Sequence, residues 1–319
     1  MWHSYSKYCS RLSIQGLFCL QLEISAGSRD SVLTNHGVQQ AQRLGQYFSN
    51  AGIAFTHVFS SHLKRTVKTA EIVRSHQRED VPQIVQTPLI REQDFGWYEG
   101  KSYVERPYNS ALSNRHDHRD EGFVDMEPIA LIAIRVDSFL DEHLFPLLDC
   151  GMETEIPTVA VVSHGVTLVH IWKRLLLRIS PGSLKVHPEL LTTIEHLDPQ
   201  RVGVWTNTGF LELEFNRNSV VPVAVPLDQN SSTVSSLNVD TTTSGISPES
   251  QAPNLIQPVA NITSVSTAFR MLDGWTTTIN TINSTSHLIG LRRTGGGLGS
   301  AAHDEKQKTI DSFFKKRKL

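Results

Sequence analysis

The spacing of hydrophobic positions predicts alternating helices and strands over roughly residues 28–215. Thr34 is a suitable N-cap for a first helix that runs to about Asn50. The apolar stripe of this helix consists of Val38, Ala41, Leu44, Tyr47 and Phe48. A short strand is predicted over 56–59, a helix over 64–75 and an extended segment over 83–90.

The second half of this region continues the alternation. A long helix is predicted over 128–145, and a helix over 166–177 follows a continuous apolar strand at 158–162, a pattern typical of a strand buried on both faces. The side chains expected to face inward from the long helix are Leu131, Ile134, Val136, Phe139 and Leu144. The alternating residues 209–215 predict an edge or half-buried strand, and the whole pattern indicates an α/β sandwich.

The composition changes after about Pro226. Residues 229–266 are rich in Ser, Thr, Asn, Pro and Gly, and such sequence buries too little apolar area to offset the entropy of ordering it. We therefore divide the chain into a domain at 28–226 and a Ser/Thr-rich linker at 227–303. Residues 268–291 regain apolar character, which predicts a short helix that packs back on the domain.

The composition excludes several classes of protein. Of 319 residues, 39% are hydrophobic and 19% are charged, which are low values for a fully packed chain and fit a domain with a polar stretch. The net charge of −2 gives no reason to expect direct nucleic-acid binding, and no apolar run reaches the ~20 residues of a membrane span. Only three cysteines are present (Cys9, Cys19 and Cys150), which excludes a disulfide scaffold and fits a reducing compartment.

One candidate site lies where the strand 158–162 leads into a helix through Ser163-His164-Gly165. Ligands of open α/β sheets bind at the carboxyl ends of strands, and the amides at a helix N-terminus favour phosphate. Gly165 lets the backbone approach a ligand closely. The alternative is that His164 is an ordinary histidine at the end of a strand, satisfied by a carbonyl.

Two further segments carry candidate chemistry. Arg65 opens the helix at 64–75, directly after a strand, where its guanidinium could bind a phosphoryl group with two hydrogen bonds. Glu92 follows an extended segment and could protonate a leaving oxygen if it is partly desolvated. Glu99-Gly100 is interpreted as a turn that shapes the pocket. Taken singly, Arg65 could equally be a solvated helix start and Glu92 part of a solvated loop.

Taken together and in this order, the segments resemble the histidine phosphatase superfamily, also called the phosphoglycerate mutase-like family. The resemblance covers roughly 28–215 and rests on Leu33-Thr34 with Gly37 and Gln40-Ala41, on Ser-x-x-x-Arg-Thr-x-x-Thr-Ala ending at Ala70, on 92–100 and on 163–165. It implies a three-layer α/β/α sandwich that transfers a phosphoryl group from a phosphorylated small molecule or phosphoprotein to a histidine. It also implies that Arg65, His164 and Gly165 bind substrate, that Glu92 protonates the leaving oxygen, and that no metal or other cofactor is needed.

The sequence departs from the family at the nucleophile. By resemblance, that histidine belongs to an Arg-His-Gly or Arg-His-Ala motif at the end of the first strand, shortly before Leu33. No Arg-His pair precedes Leu33, and the only earlier histidine is His3. We therefore expect residues 1–27 to be an atypical N-terminus without the first strand.

Two explanations for this departure remain open: a non-catalytic phosphate pocket, or a wrong or alternative gene model for the start of the sequence. The functional hypotheses are accordingly an impaired phosphatase, a non-catalytic phosphate-binding or scaffold module, and a transcription-complex subunit of the same fold.

Residues 304–319 form a candidate docking peptide with a basic tail. Ile310, Phe313 and Phe314 fall on one face of a helical turn, and the pattern Gln-x-x-Ile-x-x-Phe-Phe from Gln307 resembles the PCNA-interacting peptide. The resemblance implies the PCNA sliding clamp as a partner. The run 315–318 (Lys-Lys-Arg-Lys) indicates a nuclear localisation patch, so we expect a nuclear or cytoplasmic protein. The alternatives are an aromatic pair packed on the domain and a solvated basic tail.

Overall fold

Seven strands form one mixed sheet in the computed structural model, which describes residues 9–16, 27–77, 83–101, 122–150, 157–193, 205–218, 270–293 and 298–304. They are β1 (Cys9–Gly16), β2 (His57–Ser61), β3 (Ile84–Thr87), β4 (Thr158–Ser163), β5 (Leu184–Val186), β6 (Phe210–Arg217) and β7 (Trp275–Ser284). The strand order is β3-β2-β4-β1-β6-β7-β5. The first four strands of this order are parallel, β6 is antiparallel to both of its neighbours, and β5 runs parallel to β7.

Helices connect the strands of the sheet. They are α1 (Asn35–Asn50), α2 (Lys64–Ser75), α3 (Ile129–Phe139), α4 (Phe145–Cys150), α5 (Gly165–Leu176) and α6 (Pro188–Thr193). A π-helical turn, Leu140–Leu144, joins α3 to α4, and short 3₁₀ turns lie at Pro88–Ile90, Gly96–Tyr98, Ser286–Leu288 and Leu298–Ser300. As predicted, the hydroxyl of Thr34 caps α1 by accepting a hydrogen bond from the amide of Gly37 (3.1 Å).

The helices cover both faces of the sheet. On one face, α1 and α2 pack through Phe48 and Val73 against Val58 and Ala160 of the central strands. On the other face, α3 and α5 form a second apolar cluster with the opposite side chains of the same strands. Its largest members include Phe59, Phe139, Phe145, Trp172, Trp205 and Phe215. The fold is therefore a three-layer α/β/α sandwich, which confirms the predicted class.

The structure corrects the expectation that the first strand is missing. Residues Cys9–Gly16 form β1 at the centre of the sheet, parallel to β4 and antiparallel to β6. The strand was not predicted because apolar and polar residues alternate only weakly within it, and because both strands that pair with it lie far along the chain. The sheet is consequently complete at the position where the sequence suggested a gap.

The region assigned to a linker also contributes to the sheet. Within 268–291 a strand replaces the predicted short helix, because Trp275, Thr277 and Ile279 alternate toward the core and β7 pairs with β6. This pairing makes β6 an interior strand rather than the edge or half-buried strand expected at 209–215.

The predicted inward face of the long helix is correct only in part. Val136, Phe139 and Leu144 are buried as expected, but Leu131 and Ile134 are 52% and 62% exposed. Apolar residues occur all around this helix, so hydrophobic periodicity could not fix which side faces the sheet.

Within the described ranges, every helix is too short or too polar to span a lipid bilayer. The same ranges hold no group of three or more His, Cys, Asp or Glu side chains arranged to bind a metal ion.

Candidate functional site

Three candidate residues from separate parts of the sequence meet at the carboxyl ends of parallel strands. Arg65 lies in the first turn of α2, just beyond β2, and His164 links β4 to α5. Glu92 follows the 3₁₀ turn that ends β3. All three side chains are buried, with exposed fractions of 2%, 1% and 8% respectively. The order of elements in the sheet therefore brings together what the motifs predicted separately.

The side chains of Arg65 and His164 are joined directly. Nε of Arg65 donates a hydrogen bond to Nδ1 of His164 at 3.2 Å. Because Nδ1 accepts this bond, the neutral imidazole carries its proton on Nε2. That Nε2 is buried and has no hydrogen-bond partner among the described residues.

The charge state of His164 follows from the same surroundings. Burial, and after it the positive charges of Arg65, Arg135 and His62, lower the pKa of His164 well below its ordinary value. The ring is therefore neutral near pH 7 and presents one N–H donor within a buried site.

The remaining donors of Arg65 hold the loop that precedes α1. Its Nη2 donates to the carbonyl of Gly27 at 2.7 Å and its Nη1 to the carbonyl of Arg29 at 2.8 Å. Asp30 fastens the same loop to α2 by accepting a hydrogen bond from the amide of Lys64 at 2.6 Å. Burial acts to raise the pKa of Asp30, but the hydrogen bonds and charge of Lys64 outweigh it, so that the net shift is downward.

Glu92 is held at the N-terminus of α5. Its carboxylate accepts hydrogen bonds from the amides of Thr167 (3.2 Å), Val166 (3.4 Å) and Gln93 (3.0 Å). Burial raises the pKa of Glu92, and the amide of Gln93 together with the charge of Arg65 offsets only part of that effect. A carboxyl group in such surroundings is suited to hold and deliver a proton.

This arrangement corrects one detail of the sequence-based interpretation. Amides at the start of α5 were expected to be available to phosphate, but those of Val166 and Thr167 are bound to Glu92. Gly165 begins α5, one residue before the predicted start of that helix, and is buried.

A further charged residue, Glu127, supports the segment that carries Glu92, and the sequence motifs did not indicate it. Its carboxylate is paired with Arg91 at 2.8 Å and with Arg135 at 3.0 Å, and its side chain is only 7% exposed. Arg135 also donates to the carbonyl of Leu89 at 2.8 Å, and the side-chain amide of Gln93 donates to the carbonyl of Glu127 at 2.8 Å. The available signal was an acidic residue just before a helix that contains an inward-facing arginine.

The turn predicted at Glu99-Gly100 is present, and Glu99 joins it to the loop that Arg65 holds. Oε1 of Glu99 accepts hydrogen bonds from the amides of Ser28 (2.7 Å) and Phe95 (3.0 Å). Gly27 has a positive φ of 27°, and a Cβ at this position would collide with the Glu99 carboxylate. Only glycine fits here without a shift of the loop.

The end of β1 lies beside this cluster. Gly16 is the register partner of Ser163, the residue before His164, so the two strands end together. The strand reads Cys-Ser-Arg-Leu-Ser-Ile-Gln-Gly and contains no histidine. The candidate docking residues Gln307, Ile310, Phe313 and Phe314 lie outside the described residues.

The chain belongs to the histidine phosphatase superfamily, branch 1, whose family model matches residues 21–209. Fructose-2,6-bisphosphatase TIGAR B of Danio rerio is 29% identical over 139 residues, covering 41% of this chain and 53% of that protein. A broad-specificity phosphatase of Saccharomyces cerevisiae is 27% identical over 143 residues, covering 45% and 59%. The chain thus spans between half and three fifths of the length of these two curated relatives. A mycobacterial glucosyl-3-phosphoglycerate phosphatase superposes with a TM-score of 0.46 at 18% identity, covering 65% of this chain and 90% of that one.

Proposed function

We propose that the domain binds the phosphoryl group of a phosphomonoester at Arg65 and His164, and that its hydrolytic turnover is impaired. The observation that carries the binding half of this proposal is the buried Nε2–H of His164, which is without a partner among the described residues. A buried donor without an acceptor is costly, and a phosphoryl oxygen is an acceptor that would satisfy it.

The hydrogen bonds of Arg65 support the same assignment. Two of its guanidinium nitrogens already donate to two oxygens, the carbonyls of Gly27 and Arg29. Phosphoryl oxygens bear more negative charge than peptide carbonyls and form stronger hydrogen bonds with a guanidinium. An incoming phosphate would therefore compete for these donors and displace the loop 27–30 from Arg65.

Glu92 is assigned the role of proton donor to the leaving oxygen. Its raised pKa and its position at the start of α5, next to His164, support this role. Membership of the superfamily supports the chemistry as a class, namely attack of a histidine on phosphorus.

The proposed impairment rests on β1. The family nucleophile is expected at the end of the first strand, and β1 ends with Ile-Gln-Gly next to Ser163. Without an imidazole at that point, no phosphohistidine can form there.

Titration with inorganic phosphate tests the binding half of the proposal. We expect His164→Ala to weaken binding about tenfold, because one charge-assisted hydrogen bond is lost. His170→Ala, on the same helix but without a role in the cluster, is the matched control. Equal affinities of wild type and His164→Ala would refute the assignment.

Restoring the motif tests the catalytic half. In the double variant Gly16→Arg with Leu17→His, we expect labelled phosphohistidine and a rise of at least about a hundredfold in p-nitrophenyl phosphate hydrolysis. The wild-type chain is expected to form no phosphohistidine. Detection of one in the wild type would overturn the claim of impairment.

A second function, docking to PCNA, is proposed for Gln307, Ile310, Phe313 and Phe314. The sequence pattern supports it, and so does the attachment of residues 298–304 to the start of α1, since the amide of Asn35 donates to the carbonyl of Ala301 at 3.0 Å. Gln307, the first residue of the docking pattern, therefore lies shortly after an anchored segment. The proposed nuclear location depends on the basic run that follows it.

Binding of the full chain to PCNA, measured by titration, tests this second function. We expect the double variant Phe313→Ala with Phe314→Ala to abolish binding and Lys308→Ala to leave it unchanged. Binding that survives loss of both aromatic rings would exclude the motif as its cause.

A further inference from the structure

A cavity of about 390 Å³ lies beside the phosphoryl site rather than within it. It is partly open to solvent and is bordered by the loop before α1, by α2, by Gln86 of β3 and by His303 of the C-terminal segment 298–304. One wall is apolar (Val32, Leu33 and Val67), and another carries His62, Lys64 and His303. A cavity of this volume falls within the range of ~300–1,000 Å³ that is typical of small-molecule sites.

Two residues connect this cavity to the phosphoryl site. His62 lines the cavity and directly follows β2, between that strand and the helix that carries Arg65. Lys64 lines the cavity and immediately precedes Arg65. Its ammonium is paired at 3.1 Å with Asp30, which belongs to the loop that Arg65 holds. A ligand whose phosphoryl group displaced this loop would thus have its organic part directed to the cavity.

The charges of the cavity are largely balanced. Besides the pair formed by Lys64 and Asp30, Lys68 is paired with Glu71 at 3.6 Å, and both of these side chains line the cavity. Paired ammonium groups attract a second anion less strongly than free ones do. The apolar wall and the two imidazoles instead favour a mostly apolar body that carries a few hydrogen-bonding groups.

We infer that this cavity binds the organic part of the substrate, and that this part is ring-sized, largely apolar and without a second phosphate. The inference rests on the proposed function, because it takes the phosphoryl group to lie at Arg65 and His164. His303 is then a specificity residue that the C-terminal segment contributes. The amide of His303 donates to the carbonyl of Leu33 at 3.0 Å, and its Nδ1 lies 2.9 Å from Oδ1 of Asn35.

Calorimetric titration of the full chain with two phosphonates tests the inference, because their P–C bond resists hydrolysis. Methylphosphonate supplies the anionic head alone, and 1-naphthylmethylphosphonate adds a ring. We expect the ring to tighten binding to the wild type at least about tenfold through burial of apolar area.

Substitutions at the cavity wall test whether the gain in affinity from the ring arises in this cavity. Val67→Trp fills the cavity and should reduce the ring's advantage to less than about twofold while methylphosphonate affinity stays within about twofold of wild type. His303→Ala should reduce the advantage about threefold. Ser75→Trp, at the exposed end of the same helix, is the matched control and should change neither affinity. Circular dichroism confirms that each variant is folded.

The outcomes separate the two claims. Equal affinity of the wild type for both phosphonates, or a ring advantage that survives both Val67→Trp and His303→Ala, overturns this inference while phosphoryl binding stands. Failure of the wild type to bind either phosphonate overturns the proposed function, and the inference with it.

Discussion

Arg65 and His164 form a hydrogen bond between two buried side chains, with Nε of the guanidinium donating to Nδ1 of the imidazole at 3.2 Å. This bond fixes the tautomer of His164 and aims its remaining proton away from Arg65. The arginine therefore serves in two ways, as a cation for an incoming anion and as the group that orients its neighbour.

The first prediction concerns Arg65→Lys. A lysine keeps the charge but cannot reproduce the planar set of donors that reaches Gly27, Arg29 and His164 together. We expect phosphate affinity, measured by calorimetry, to fall at least about tenfold. Arg74→Lys, at the exposed C-terminal end of α2, should leave it unchanged. An unaltered affinity in Arg65→Lys would mean that charge alone suffices.

The second prediction concerns Gly27→Ala. The added methyl group would collide with the Glu99 carboxylate, and the positive φ is unfavourable for alanine. Gly52 also has a positive φ, of 68°, but has open space around it, so Gly52→Ala carries only the backbone cost of about 1 kcal/mol. Gly27→Ala should lower the free energy of unfolding by more than this control in urea titrations. Equal losses of unfolding free energy in the two variants would show that the loop shifts at little cost to accommodate the methyl group.

The third prediction concerns Glu127→Gln. The substitution leaves the guanidinium groups of Arg91 and Arg135 without their carboxylate in a mostly buried setting. We expect a loss of about 3 kcal/mol in the free energy of unfolding. Glu71→Gln breaks only the half-exposed pair with Lys68 and should cost less than about 1 kcal/mol. Similar losses for both variants would contradict the supporting role of Glu127.

The fourth prediction concerns acid stability and His287. This ring lies against Tyr47 and Phe210, its Nε2 lies 2.9 Å from Oγ1 of Thr208, and burial lowers the pKa of His287 to about 4. In the unfolded chain the pKa is near its ordinary value of 6.5. Between these two values the unfolded state binds a proton that the folded state does not bind.

The stabilisation associated with neutral His287 is therefore complete above pH 6.5 and is lost as the pH falls toward 4. Its full size is about 3 kcal/mol at about 1.4 kcal/mol per pKa unit. His287→Phe retains a ring but cannot titrate, so urea titrations from pH 7.5 to pH 4.5 should show a shallower loss of stability than in wild type. Parallel pH profiles of stability would exclude His287 as a source of the loss of stability at acid pH.

Local sequence was sufficient to predict a helix or strand whose own residues show a clear hydrophobic or capping pattern. The bounds of α2 and the cap of α1 could be predicted because polar helix starts precede regular apolar spacing. The strand β4 was equally clear from its run of Val and Ala residues. Arg65, Glu92 and His164 each follow a β-strand or a turn that such patterns identify.

The features that could not be predicted depend on contacts between residues far apart in the sequence. β7 is rich in Thr and Asn and acquires its strand character by pairing with β6. Glu127 contacts Arg91 and Gln93, which lie 36 and 34 residues away in the sequence, and local spacing does not indicate these contacts. The hydrogen bonds from Arg65 to the carbonyls of Gly27 and Arg29 are likewise tertiary contacts that local sequence does not indicate.

The position of β7 constrains the order in which the protein can be assembled as it is synthesised. Among the described strands β5 pairs with β7 alone, although β5 leaves the ribosome much earlier, and β6 lacks one neighbour until β7 is released. A nascent chain that has not yet released residue 284 therefore displays an open strand edge, the kind of surface on which chaperones and aggregation compete.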